Sequence, residues 1–203
     1  AYVVSSPIAP LIDLLDQMQA LIEGLMTSIR TAGAWPVDLD LSDHAGLAAF
    51  RDRLVAFMEK AVREAKLRTT WIAPQQAYEQ AVRSFVETAL DPARNGEFLG
   101  DFARTIKPLT VAGALASLSQ TLVKLAAPGI PDIYQGSEVF DLSFVDPDNR
   151  RPVDFGTRAV MVDSLENGHL GAVVEGWRTG AMKLHVVKRG LAMRRHAPAL
   201  LAE

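Results

Sequence analysis

The chain is 203 residues long, 49% of them hydrophobic and 22% charged, with a formal net charge of -3 and a pI near 5.8. That is enough apolar surface for the core of one large or two small domains, and the acidic balance offers nucleic acid or an anionic membrane no basic face. The lack of cysteine excludes disulfides, thiolate nucleophiles and cysteine-ligated metals, and it fits a reducing cytoplasm.

The first residues, AYVVSSPIAP, carry no basic start and no long apolar run, and no later segment reads as an uninterrupted membrane span. A chain starting at Ala1 without methionine is expected to be processed or excised from something longer. From Ile8 to Ile29, Leu11, Ile12, Leu15, Met18, Leu21, Ile22, Leu25 and Met26 recur at three and four, which predicts a first helix ending near Gly33. Trp35-Pro36 then forces an extended link. Leu47, Phe50, Leu54, Phe57, Met58, Ala61 and Ala65 mark a second, amphipathic helix capped by Ser42 or Asp43. TTWIAP interrupts, Pro74 suits a first helical turn, and Tyr78 to Leu90 trace a third helix that stops at Asp91-Pro92. After a shorter segment around Phe98 and Phe102, Pro108 is expected to open a helix through Leu125. Its middle, VAGALASLSQTLVKLAA, has small residues almost all round and reads as buried between neighbours. Ile130 to Tyr134 is the strand candidate. AVMVDSLEN, GAVVEGW and GAMKLHVVKRGLAMRRH read as further helices separated by Gly168 and by Arg178 to Gly180, with Arg194 among solvated charges. Prolines, Asn95 and Gly96 cluster between Leu90 and Pro108, where a domain boundary is expected.

The proline-rich loop after Tyr134 concentrates the polar chemistry. Asp146, Asp148 and Asn149 look like oxygen ligands, but a calcium loop counted from Asp146 needs glycine at its sixth position and glutamate at its twelfth, where this chain has Arg151 and Thr157. The arginines offer the carboxylates bidentate partners instead, so an internally salt-bridged scaffold and a functional loop both stay open. There is no nucleophile elbow, phosphate-binding glycine loop or metalloprotease helix motif. His44, His169, His185 and His196 lie far apart and read as surface or helix-end residues, and Trp35, Trp71 and Trp177 read as core. No spacing rule makes Glu138 and Asp141 an acid and base pair. No metal or cofactor is expected.

LSQTLVKLAAPGIPDIYQGSEVFDLSFVDPDNRRPVDF, from Leu118 to Phe155, resembles the region near the end of the catalytic barrel in the maltooligosyl trehalose synthases of the α-amylase clan; PDIYQG, DL and DPDNRRPVD carry the likeness. It extends back through FRDRLVAFMEKAVREAKLRTTWIAPQQAYEQAVRSFV and GAWP and forward through MKLHVVKRGLAMRRHAPAL, about Gly33 to Leu200. Ser137 and Phe140 stand where threonine and tryptophan are expected, and before Gly33 the match is poor. The resemblance implies isomerisation of the reducing-end α-1,4 bond of a maltooligosaccharide to an α,α-1,1 bond. It implies a mainly α fold excised from a longer chain: a helical insertion subdomain over 1–107, then over 108–203 the last strand (near 130–134), a polar loop (135–155) and the closing helices of a (β/α)8 barrel. It makes Tyr134, Gln135, Asp146, Asn149 and Arg150 the substrate contacts, the tyrosine by stacking and the others by hydroxyl hydrogen bonds. No motif here matches the family's catalytic carboxylates. The isolated chain is therefore expected to be inactive and to self-associate, with a maltooligosaccharide as partner only of the full-length enzyme. A non-catalytic helical interaction module and a fragment of another α-amylase-clan enzyme are the rival classes.

Overall fold

A computed structural model describes residues 34–197. The helix expected from Ile8 to Ile29 lies outside them.

The described chain is mainly helical. Helix α1, His44–Ala65, starts where Asp43 accepts a hydrogen bond from the Gly46 amide at 2.9 Å, and its apolar stripe is what becomes buried: Leu47, Phe50, Leu54, Val55, Met58 and Val62. Lys66 ends it in the left-handed conformation, φ 56°. Helix α2, Gln76–Ala89, packs on α1 and buries Val82 and Val86; Pro74 stands just outside its start. Trp35 meets Phe50 and Phe102 edge-on at 4.9 and 5.0 Å in the core these helices share. Trp71 differs from expectation. It stands on the connection between α1 and α2, outside their seam, 56% exposed beneath the Arg63 guanidinium.

The two segments expected around Phe98 and after Pro108 are one helix, α3, Pro92–Ala126. Asp91 caps it through the Ala93 amide at 2.9 Å, and the backbone leaves helical geometry at Asn95, whose side chain donates to the Thr88 carbonyl at 2.6 Å. The helix then runs through Pro108. A proline loses one backbone hydrogen bond and crowds the preceding turn, but here Phe102 and Ile106 on one side and Thr121 and Leu125 on the other anchor the helix. Pro108 therefore opens nothing, and residues 107 and 108 are consecutive within the helix. Residues from Ala34 to Ile106, with Phe144, form one buried cluster; Leu125, Val173, Leu184 and Val187 are buried beyond it.

The middle of α3 corrects a second expectation. Small residues all round suggested neighbours all round, yet Val111, Leu115, Leu122 and Val123 are exposed, because the described helices lie against one side only. By length and composition α3 holds an 18-residue window apolar enough to cross a membrane, of mean hydropathy 1.3, and only 11% of that window is buried.

Ile130 to Tyr134 is not paired as a strand among the described residues. A strand exists through a neighbour's backbone, and among the described residues no other segment pairs with it. Past the loop come α4, Phe155–Asn167, capped by Asp154 through the Thr157 amide at 2.9 Å; α5, Leu170–Glu175; and α6, Ala181–His196. Gly180 begins α6 at φ 83°, pressed so closely on the loop that a Cβ there would lie 2.7 Å from that of Val139. Helix α6 packs along α3. Arg194 is accordingly no solvated charge: it donates to the carbonyls of Leu125 at 2.7 Å, Ala127 at 2.8 Å and Gly129, groups that a helix end leaves without partners.

Candidate functional site

The polar loop folds around a cleft of about 340 Å³ lined by Gln135, Asp141, Asp148, Asn149, Arg151 and Asp154, among others. Its first wall is a turn. The Ser137 amide donates to the Tyr134 carbonyl at 2.9 Å, and Gly136 supplies the left-handed residue, φ 92°, that a type II turn requires at its third position. Gln135 is thereby exposed at the tip. Glu138 accepts from the Gly136 amide at 2.9 Å and pairs with Nε of Arg158, which also donates to the Asp154 carbonyl at 3.0 Å. Glu138 thus fastens the turn to α4.

Asp148 organises the opposite wall. Nε and Nη2 of Arg53, on α1, grip its two oxygens at 3.0 and 2.8 Å, and the Phe144 amide donates to Oδ2 at 2.8 Å. Arg53 Nη2 also donates to the Leu142 carbonyl at 2.6 Å, and Arg151 Nε lies 3.0 Å from Asp148 Oδ1. Burial pushes the Asp148 carboxyl up, but Arg53 and the Phe144 amide outweigh it and hold the group below the ordinary aspartate value. Asp154 is also held low, chiefly by the Thr157 hydroxyl and amide. One helical turn-pair along α1, Lys60 Nζ donates to the Asp146 carbonyl at 2.5 Å and lies 3.4 Å from Oδ2; Arg150 Nε pairs with Oδ1.

Of the five sequence-predicted contact residues, Gln135 and Asn149 line the cleft. Tyr134 is 56% exposed at the start of the turn, and Asp146 and Arg150 pair with each other outside the lining. The internal pairs expected of a salt-bridged loop do form, yet the most buried carboxylate, Asp148, takes its bidentate partner from α1. Sequence reasoning missed Arg53 and Lys60. Their signal was a seven-residue separation, which puts two basic residues on one face of that helix. Glu138 and Asp141 make structural contacts, Asp141 with the Ser143 amide at 3.1 Å.

Lys183, in the first turn of α6, is 9% exposed and has neither a hydrogen bond nor an ion pair among the described residues. Burial lowers its pKa, Lys124 adds to the effect, and Asp141 and Glu138 oppose it. Among the described residues no three histidine, aspartate or glutamate side chains converge to hold a metal.

No protein-family model matches the chain. A Mycobacterium tuberculosis protein, itself assigned only by inference as a maltooligosyl trehalose synthase, is 41% identical over 135 residues, 66% of this chain and 16% of that protein. The solved maltooligosyltrehalose synthase of Arthrobacter ramosus superposes on 86% of this chain and 20% of its own with a TM-score of 0.67 and 37% identity. A second solved maltooligosyl trehalose synthase gives 0.72 over 83% of this chain and 22% of its own, at 28% identity. The chain spans less than a quarter of the length of these relatives.

Proposed function

We propose, from the premise that this chain is a homologue of one stretch of the maltooligosyl trehalose synthases, that it forms glucan-facing loop structure in such an enzyme and leaves the bond-changing carboxylates to other parts of it. In this reading the whole enzyme converts the reducing-end α-1,4 bond of a maltooligosaccharide into an α,α-1,1 bond. Ile130 to Tyr134 is then the last strand of its barrel, with 1–107 the insertion before it and 108–203 the terminal barrel segment.

Retaining transfer needs a nucleophilic carboxylate and a protonated carboxylic acid roughly 5 Å apart. The carboxylates of this cleft are committed elsewhere. Asp148 and Asp154 are held ionised by their donors, which unsuits both for the acid's role, and the carboxylate of Asp141 is engaged with the Ser143 backbone and hydroxyl. The side-chain amides of Gln135 and Asn149, by contrast, line the same cleft with no hydrogen-bond partner among the described residues. That contrast carries the reading: committed charges and free amides suit a neutral polyhydroxyl ligand, since an amide both donates and accepts. Tyr134 offers an exposed ring for stacking, and the Asp146 and Arg150 pair offers further polar edges.

Prolonged incubation of the purified chain with maltopentaose, followed by chromatography, should yield no trehalose-terminated product. The side-chain amide resonances of Gln135 and Asn149 should shift as maltopentaose is added. Formation of a non-reducing product would sink the division of labour, and unmoved amide resonances would sink the sugar contact.

A further inference from the structure

We infer that Trp71, with the groove beside it between α1 and α2, is a second carbohydrate-binding patch, one that takes a linear α-glucan outside the loop cleft. The choice of an α-glucan rests on the reading above; that the ligand is a neutral sugar rests on the patch itself.

The aromatic side of the patch is held in place by its backbone. Between α1 and α2 the chain turns at residues 70–73, closed from both sides: the Ala73 amide donates to the Thr70 hydroxyl at 2.9 Å, and the Thr70 amide donates to the Ala73 carbonyl at 3.3 Å. Behind the turn Thr69, fully buried, accepts from the Gln75 amide at 2.9 Å and donates to Glu79 at 2.5 Å. Trp71 stands on this fixed turn 56% open, with the Arg63 guanidinium over its ring at 4.9 Å from the centroid. A ring held in this way loses little freedom when a ligand settles on it.

The same Arg63 lines a groove of about 590 Å³ along α1 and α2, within the roughly 300 to 1,000 Å³ usual for small-molecule sites. The charges of the groove cancel in pairs: Arg63 grips Glu79 at 2.6 Å, and Arg83 pairs with Glu59. What is left to bind with is neutral. The Gln76 side-chain amide has no hydrogen-bond partner among the described residues, and that of Gln80 makes a long contact of 3.4 Å to Ser84. An aromatic ring suits the C–H face of a pyranose, and amides beside it both donate to and accept from its hydroxyls. A charged ligand would have to compete with the ion pairs. The groove shares no lining residue with the loop cleft, so the two can be occupied independently. Leu67 and Ile72, 85% and 97% exposed on the same connection, suggest a second copy as a rival occupant, but neither lines the groove, and an apolar contact through them would leave the free amides unused.

The test titrates maltopentaose into the full chain and follows the Trp71 indole N–H and the side-chain amides of Gln76 and Gln80 by NMR. All three should shift saturably, and should still do so in Gln135→Ala with Asn149→Ala, which disables the loop cleft. The glutamine shifts should be lost in Trp71→Ala, and the indole shift in Gln76→Ala with Gln80→Ala. Still resonances at the patch while those of Gln135 and Asn149 move would overturn this inference and leave the reading above standing; movement at the patch with a silent cleft would keep the patch and refute the sugar contact of the cleft. Equal shifts with glycerol at the same hydroxyl concentration would show a solvent effect and overturn the patch. So would an indole shift that depends on protein concentration without sugar and disappears in Leu67→Glu with Ile72→Glu, which would assign the turn to a second copy.

Discussion

Glu79 joins three pieces of backbone with one carboxylate. It accepts from Arg63 Nε and Nη2 at 2.9 and 2.6 Å and from the Thr69 hydroxyl at 2.5 Å, while Thr69 in turn accepts from the Gln75 amide at 2.9 Å. The hydrogen bonds from Arg63, then from Thr69, lower its pKa from 4.5 to about 2. A folded-state pKa below the unfolded value means that the unfolded chain binds the proton first on acidification. The stabilisation is therefore complete above about 4.5 and is lost as the pH falls towards about 2. Thermal melts across that range should show Glu79→Gln less stable than the parent at neutral pH and the two converging in acid; parallel curves would mean that this carboxylate does not titrate as described. The site also shows what a sequence discloses at this scale. The caps Asp43, Asp91 and Asp154 act on amides two or three residues ahead, so local chemistry announces them. Glu79 with Arg63 and Asp148 with Arg53 are partners brought together by folding, and no local rule selects either pair.

Elements whose ends are set by local chemistry were equally readable. The stop at Asp91-Pro92 and the breaks at Gly168 and Gly180 fall where expected, whereas the passage of α3 through Pro108 and the lack of a strand at Ile130 depend on what lies alongside. Gly180 tests the local kind. A methyl group there would combine a left-handed backbone with a 2.7 Å approach to the Val139 Cβ and 3.1 Å to the Phe140 nitrogen, so Gly180→Ala should destabilise the fold by roughly 2 kcal/mol and loosen α6 from the loop. Gly100, in the body of α3 with no neighbouring atom within 4 Å of a new Cβ, should respond in the opposite direction. There alanine should add about 0.5 to 1 kcal/mol through helix propensity. Urea unfolding of both variants reads the two signs directly, and a common sign would refute the account of Gly180.

Across the whole molecule, the contact that matters most to the cleft is also among the most distant in sequence. Arg53 and Asp148 are 95 residues apart, and their pairing seats the loop on α1. The crowding of prolines, carboxylates and arginines marks this loop in the sequence, but it does not disclose that the loop's fixed wall is built from a helix in the other half of the chain. A contact that closes so long a span belongs late in folding, because loop-closure entropy opposes it until the intervening elements are in place. Arg53→Ala should therefore accelerate unfolding by roughly tenfold, equivalent to about 1.4 kcal/mol, and leave the refolding rate nearly unchanged. Stopped-flow kinetics separates the two limbs, and a slowed refolding limb would place the pair in the folding nucleus instead. The same separation acts on the ribosome. At about 5 to 20 residues per second, some 5 to 20 s pass between synthesis of the guanidinium and synthesis of its carboxylate. During that interval the nascent α1 has Leu47, Leu54 and Met58 to hold it against α2, and an arginine whose counterion has yet to be translated.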